Sequence, residues 1–137
     1  MTSGRCKPIL PTLAACFIVV APCGPAAAGP QGDWVQVIAA AARGDHAQAQ
    51  RLIRSLAERG DADAQYDLGT IYQAGEDLPP DFVQAYKWYQ LAASRFAASE
   101  ESMRDRAIKN RDRIAAVMTP AQIAEAQRLA RVWKPTG

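Results

Sequence analysis

The chain has 137 residues, and its 16 basic and 14 acidic residues give a net charge of +2. This length suits one domain with a core of its own. This near balance of basic and acidic residues gives no support for nucleic acid as a partner, because nucleic-acid binding needs a strongly basic surface. All three cysteines lie within the first 23 residues, so the rest of the chain has neither disulfides nor thiol chemistry.

Residues 1–28 have the pattern of a secretory signal. Two basic residues precede an apolar run at residues 13–21, and Ala26 and Ala28 place small side chains at the −3 and −1 positions of a cleavage site. The apolar run is about half of the ~20 residues that a membrane-spanning helix needs. We therefore predict cleavage after Ala28, a periplasmic or secreted location, and a mature domain of residues 29–137 with no membrane span.

An alternative for this segment is a lipoprotein anchored through Cys16 or Cys23. Leu13-Ala14-Ala15-Cys16 resembles a bacterial lipobox, but Cys16 lies at the start of the apolar run, where a lipobox cysteine should follow it. Cys23 is better placed, although a proline precedes it. Export without lipid is the favoured interpretation. Cleavage would leave 14 basic and 14 acidic residues, and so no net charge.

The remaining 109 residues are predicted to be helical throughout. Apolar residues recur at steps of three and four, and no alternating run of strand type occurs. In chain order, the first helix covers residues 34–42, the second ends at Gly60, the third follows Asp61, the fourth follows Asp81, the fifth carries Met103 to Val117, and the sixth begins after Thr119. Six helices with short loops predict about three helix hairpins, and an internal period in the mid-thirties indicates a helical solenoid.

The expected helix starts carry capping residues. Asp45, Asp61 and Asp81 each precede an apolar-periodic run, where an N-cap contributes about 1 kcal/mol relative to alanine. Thr119 is followed by a proline at the first helical position and by Gln122, which together predict a capping box and a sharp turn.

Residues 62–96 contain the clearest repeat. They include Ala64-Gln65-Tyr66, Leu68-Gly69, Tyr72, Gly75, Pro79, Asp81, Ala85, Trp88-Tyr89 and Ala92-Ala93. This pattern resembles the Sel-one-like repeat, a relative of the tetratricopeptide repeat. The resemblance implies an all-α, short helical-repeat solenoid in an exported bacterial protein. One departure is Asp77, where the family usually has a second loop glycine.

Small residues in this segment allow two helices to approach closely. Gly69 and Ala85 lack bulk where the third and fourth helices cross, near the short end of the 8–10 Å range of interaxial distances. The side chains expected to pack the repeat are Leu68, Gly69, Tyr72, Ala85, Tyr89 and Ala92.

The resemblance also implies a binding surface. In tetratricopeptide-like stacks, exposed positions on the first helix of each pair line a concave groove, which here would hold Asp63, Tyr66, Thr70 and Gln73. An aromatic side chain among small polar groups is typical of a modest peptide-binding surface. Tyr66 has an alternative position, packed against the next hairpin, and the sequence leaves both open.

The sequence predicts no catalytic, metal or cofactor site. His46 is the only histidine and follows an N-cap, where a solvated side chain is expected. A zinc site needs three or four ligands, and the mature chain has neither cysteine nor a second histidine to supply them. Glu76, Asp77 and Asp81 share one loop but lack the spacing of a calcium-binding EF-hand.

These observations together predict an exported helical-repeat scaffold that binds a protein or peptide partner in the bacterial cell envelope, without catalysis. One alternative is a cell-wall or β-lactam-related enzyme, or an accessory of one, since some exported relatives are linked to that chemistry. Those relatives are rich in cysteine, which the mature chain lacks. Another alternative is a structural module of an envelope complex.

Overall fold

The computed structural model describes residues 30–75 and 80–137. The helices are α1 (Pro30–Ala42), α2 (His46–Glu58), α3 (Ala62–Ala74), α4 (Phe82–Arg95), α5 (Glu101–Ala115) and α6 (Pro120–Val132), with one 3-10 turn at Ala98–Glu100 before α5. Those two ranges contain no strand, so the prediction of an all-α helical-repeat fold is confirmed.

Some predictions lie outside the described residues. They are the signal at residues 1–28 with its cleavage after Ala28, the two candidate lipid-bearing cysteines, and the loop departure at Asp77. Among the helices that are described, none combines the length and the apolar character needed to cross a membrane.

Four helices begin with the N-caps expected from the sequence. The carboxylates of Asp45, Asp61 and Asp81 accept hydrogen bonds from backbone N–H groups three residues on, at 3.0, 2.8 and 3.0 Å. Thr119 Oγ1 accepts from the backbone N–H of Gln122, whose side-chain oxygen accepts from the backbone N–H of Thr119 at 2.9 Å. These contacts satisfy N–H groups that the helices themselves leave unpaired.

The helices pack in chain order up to α5, and α6 then returns to α4. Helix α1 packs on α2, α2 on α3, α3 on α4, and α4 on both α5 and α6. The pairs α1–α2 and α3–α4 are the first two predicted hairpins. In the last pair, α5 and α6 have their main contacts with α4, and they share a small cluster that contains Ile114, Met118 and Ala126.

Helix α4 is consequently the centre of the described fold. It carries six buried residues, which are Ala85, Tyr86, Trp88, Tyr89, Leu91 and Ala92. Each of the three apolar clusters of the core includes α4 side chains: one joins α4 to α1, α2 and α3, and the other two join it to α3, α5 and α6. A helix that is apolar on most sides is expected in this position.

The side chains expected to pack the repeat lie where α3 meets α4. Leu68, Gly69, Ala85, Tyr89 and Ala92 are buried, and Tyr72 is partly buried. A Cβ atom on Gly69 would lie 2.9 Å from both Cδ1 and Cε1 of Tyr89. The absence of a side chain at residue 69 therefore makes room for the tyrosine ring.

Glycine also ends α3. Gly75 has a φ of +64°, in the left-handed region, and its N–H donates to the carbonyl of Ile71. A Cβ at this position would lie 2.7 Å from the Pro80 ring. Asp81 then donates its N–H to the carbonyl of Tyr72 at 3.0 Å, which fixes the start of α4 against the end of α3.

The segment after α6 crosses back to the end of α2 and to α4. Thr136 donates its N–H, at 2.8 Å, and its hydroxyl to the carbonyl of Glu58 near the end of α2. The Trp133 ring meets that of Trp88 edge to face, with centroids 6.1 Å apart, and the guanidinium of Arg95 lies over Trp133 at 4.7 Å. The C-terminal residues are thereby tied to α2 and α4.

The contact between Gly69 and Tyr89 is testable with a single methyl group. Gly69→Ala should lower the free energy of unfolding by up to about 2 kcal/mol, because overpacking costs about 1–3 kcal/mol and the better helix propensity of alanine returns only about 1 kcal/mol. A thermal melt should show a Tm lower by about 5 °C.

The matched control is Gly32→Ala. Gly32 is also helical, and a Cβ there would meet no atom within 4 Å. This substitution should leave the Tm unchanged or raise it. A Gly69→Ala protein at least as stable as the wild type would show that the Tyr89 ring moves freely, contrary to the packing described above.

Candidate partner-binding surface

Three of the four residues predicted to line a groove meet around one buried hydroxyl group. Tyr89 donates its O–H to Oε1 of Gln73 at 2.8 Å, and Oγ1 of Thr70 lies 3.1 Å from the same Tyr89 oxygen. Thr70 Oγ1 also lies 3.2 Å from the backbone carbonyl of Tyr66. Helix α3 therefore presents these residues in a connected polar network and not as separate exposed side chains.

Tyr66 belongs to this network and also contacts α5. Its ring lies 5.5 Å from that of Tyr89, tilted by 55°, and its hydroxyl accepts a hydrogen bond from Nδ2 of Asn110 at 2.9 Å. Tyr66 is half-buried. It thus packs on α5, in the next hairpin, which is one of the two positions that the sequence leaves open, and its role in binding stays a prediction.

Asn110 is the residue that sequence reasoning missed in this network. It lies among the charged residues of α5. A signal was present, because Asn110 falls three residues after the buried Ala107 and four before the buried Ile114. A polar side chain on the apolar stripe of a helix requires a hydrogen-bond partner, and Tyr66 is that partner.

The buried part of the network is electrostatically neutral. Burial raises the pKa of Tyr89 more than the hydrogen bond that its oxygen accepts from Thr70 lowers it. The phenol consequently stays protonated at neutral pH and keeps the proton that it donates to Gln73.

Two carboxylates extend the surface along α3. Asp63 is exposed, and Asp67, one turn further on, is half-buried. Burial, and then the negative charges of Asp63 and Asp61, raise the pKa of Asp67 to about 6. Burial and the charges of Asp61 and Glu100 raise the pKa of Asp63 as well.

Neither carboxylate has a partner in the part of the chain that the structure describes. Within residues 30–75 and 80–137, Asp63 and Asp67 accept no hydrogen bond and form no ion pair. The α3 surface is defined here as Asp63, Tyr66, Asp67, Thr70 and Gln73. Sequence reasoning named four of these and missed Asp67, although positions four apart on a helix share a face.

The α3 surface offers hydrogen-bond acceptors and negative charge to a partner. Over the described ranges, no group of three or more histidine, cysteine, aspartate or glutamate side chains is placed to hold a metal ion. His46 lies exposed at the start of α2, as expected for a solvated first-turn residue.

Comparison with known proteins identifies the segment that carries the surface. Residues 62–95 match the family model of the Sel1 repeat, which covers α3, the loop after it and α4. No curated protein and no solved structure matches the chain. Sel1 repeats generally mediate protein–protein interaction and are typically non-catalytic. Residues 62–95, which form the α3–α4 hairpin, are therefore identified as a Sel1 repeat.

Proposed function

We propose that this protein binds a segment of another protein on its α3 surface, as a non-catalytic scaffold of the bacterial cell envelope. The observation that carries the proposal is the Sel1 match at residues 62–95. Helix α3, which lies in this match, presents two carboxylates that have no partner among the described residues. Helical-repeat proteins commonly bind other chains by displaying such faces on a rigid stack.

The α3 surface has a rigid base. Tyr89 is fully buried beneath it, and hydrogen bonds to Thr70 and Gln73 hold both side chains against α4. A partner would therefore meet polar groups whose positions are already fixed, which lowers the conformational entropy lost on binding. Hydrogen-bond donors or basic groups on the partner would pair with Asp63 and Asp67.

Asp67 also indicates a compromise between stability and binding. A half-buried carboxylate without a partner destabilises the folded state, since burial favours its neutral form. Groups of this kind are found at functional sites, where activity is retained at some cost in stability. A partner that supplies a donor or a positive charge would remove the penalty.

Export to the envelope is a separate proposal that rests on the sequence of residues 1–28. The short apolar run, the prolines after it and the Ala26/Ala28 pair support cleavage after Ala28. The mature chain would then act in the periplasm or outside the cell.

The binding proposal is tested by capture from envelope extract. Immobilised residues 29–137 should retain a protein partner, and Asp67→Asn and Thr70→Arg should each weaken its binding. Loss of an interface charge or obstruction of the surface centre should cost about 2 kcal/mol, or about 30-fold in Kd, as for an interface hot spot. Calorimetry or biolayer interferometry with the purified partner measures this.

The matched control is Asp105→Asn, which removes the same charge from an exposed position on α5. It should bind the partner as tightly as the wild type does. If the two α3 variants fold normally and also bind with wild-type affinity, the α3 surface is not the binding site.

The same substitution at Asp67 predicts a pH-dependent gain in stability. Because the folded-state pKa is raised from 3.8 to about 6, the folded state binds more protons than the unfolded state between those values. The penalty therefore grows as pH rises through this window and is complete above pH 6. Asp67→Asn should raise the Tm at about pH 7.5 and have a smaller effect at about pH 4.

Asp105→Asn should show no such dependence in the same melts. A Tm gain for Asp67→Asn that is equal at both pH values would exclude the charge of Asp67 as its cause. If the Asp67 carboxylate is functional, the Asp67→Asn protein should be more stable than the wild type and should bind the partner more weakly.

The export proposal is tested by intact mass. Expression of the full chain in a bacterium that exports proteins should give periplasmic protein that begins at Gly29. A lipid-modified Cys16 or Cys23, or full-length protein in the cytoplasm, would contradict it.

A further inference from the structure

A crevice lies between α4 and α6, on a different face of α4 from the one that holds Tyr89. It encloses about 310 Å³ and is lined by Gln90, Leu91 and Ser94 of α4 and by Gln127, Ala130 and Arg131 of α6. This volume is at the lower end of ligand pockets, which hold about 300–1,000 Å³. It has room for one or two small residues or a small organic molecule.

The polar groups of the crevice are mainly hydrogen-bond donors. Arg111 donates to Oε1 of Gln90 at 2.7 Å, which fixes the amide so that its NH₂ group stays available. In the described ranges, this NH₂ group donates to no residue, and the guanidinium of Arg131 has no hydrogen-bond or ion-pair partner. Among the described residues that line the crevice, none is acidic.

The other lining groups are small or already paired. Ser94 donates its hydroxyl proton to the carbonyl of Leu91 at 2.7 Å, and Nε2 of Gln127 donates to the hydroxyl of Tyr86 at 3.3 Å. Leu91 and Ala130 supply apolar surface from facing helices. The crevice thus combines an available guanidinium and amide with a short apolar wall.

We propose that this crevice binds a carboxylate attached to a small aliphatic group. A guanidinium is suited to a carboxylate, because its fork of N–H groups pairs with both oxygens, and the Gln90 amide adds a further donor. The apolar wall of Leu91 and Ala130 would contact a short aliphatic side chain such as that of alanine. The proposal is independent of partner binding on the α3 surface.

Such a group occurs in small metabolites and at the C-terminus of a polypeptide. The probes are N-acetylalanine, acetyl-tetraalanine with a free carboxylate, and acetyl-tetraalanine amide. They are titrated into ¹⁵N-labelled residues 29–137, and binding is followed through the side-chain NH₂ signals of Gln90 and the Nε–H signal of Arg131.

At least one free acid should shift these signals, and tetraalanine amide should bind at least about tenfold more weakly than its acid. If N-acetylalanine binds as tightly as the tetrapeptide acid, the crevice takes a small molecule. If the tetrapeptide acid binds about tenfold more tightly, the crevice takes a chain end. An absence of shifts up to about 10 mM, or equal binding of acid and amide, would overturn the proposal.

Two variants test the assigned donors. Arg131→Gln should weaken binding of the free acid by about tenfold or more, with an unchanged thermal melt. Gln90→Met should weaken binding by as much, and it should also lower the Tm slightly because it removes the hydrogen bond from Arg111. The matched control, Arg106→Gln, removes the same charge from an exposed position on α5 and should bind as the wild type does. Wild-type binding by Arg131→Gln would show that the carboxylate does not lie in this crevice.

Discussion

Tyr89 and Gly69 make one contact on which much of the molecule depends. The tyrosine ring is fully buried and occupies the space that Gly69 leaves on α3, where a Cβ would approach within 2.9 Å. Its hydroxyl reaches the polar edge of α3 and is bonded there to Gln73. The tyrosine side chain therefore fills the core between the two helices, and its hydroxyl forms a hydrogen bond with Gln73 that a phenylalanine could not form.

The contact extends beyond the α3–α4 hairpin through Tyr66. This ring packs on Tyr89 and passes a hydrogen bond to Asn110, so that α3, α4 and α5 are held by one connected set of side chains. On another side of α4, Trp88 and Trp133 make the equivalent link to the C-terminal segment. Aromatic residues of α4 that face in different directions thus join the repeat to α5 and to the C-terminal segment.

The sequence predicts the local parts of this structure well. Asp45, Asp61, Asp81 and Thr119 act through hydrogen bonds within three residues, so their effect is visible in short sequence patterns. The arrangement of α6 is different in kind. No local sequence pattern indicates whether α6 packs on α5 or on α4, because this depends on the fit of whole helix faces.

The candidate surface was likewise predictable only in part. Its four named residues follow from the family resemblance, but the contact of Tyr66 with the next hairpin depends on Asn110, which lies 44 residues away in sequence. The partial burial of Asp67 depends on the same tertiary packing, and so does its raised pKa. Spacing along one helix defines a face, whereas the environment of that face is set by the neighbouring helices.

The central position of α4 also explains how one small protein could carry two separate binding sites. Tyr89 points toward α3 and α5, whereas Gln90, Leu91 and Ser94 line the crevice with α6. Neighbouring positions on a helix differ by about 100° in direction, so the two sets of side chains have no face in common. A helix packed on several sides transmits little motion unless a neighbour has two discrete arrangements. Occupation of the crevice should therefore leave the geometry of the α3 surface unchanged, and the two sites would act as independent attachment points on one scaffold.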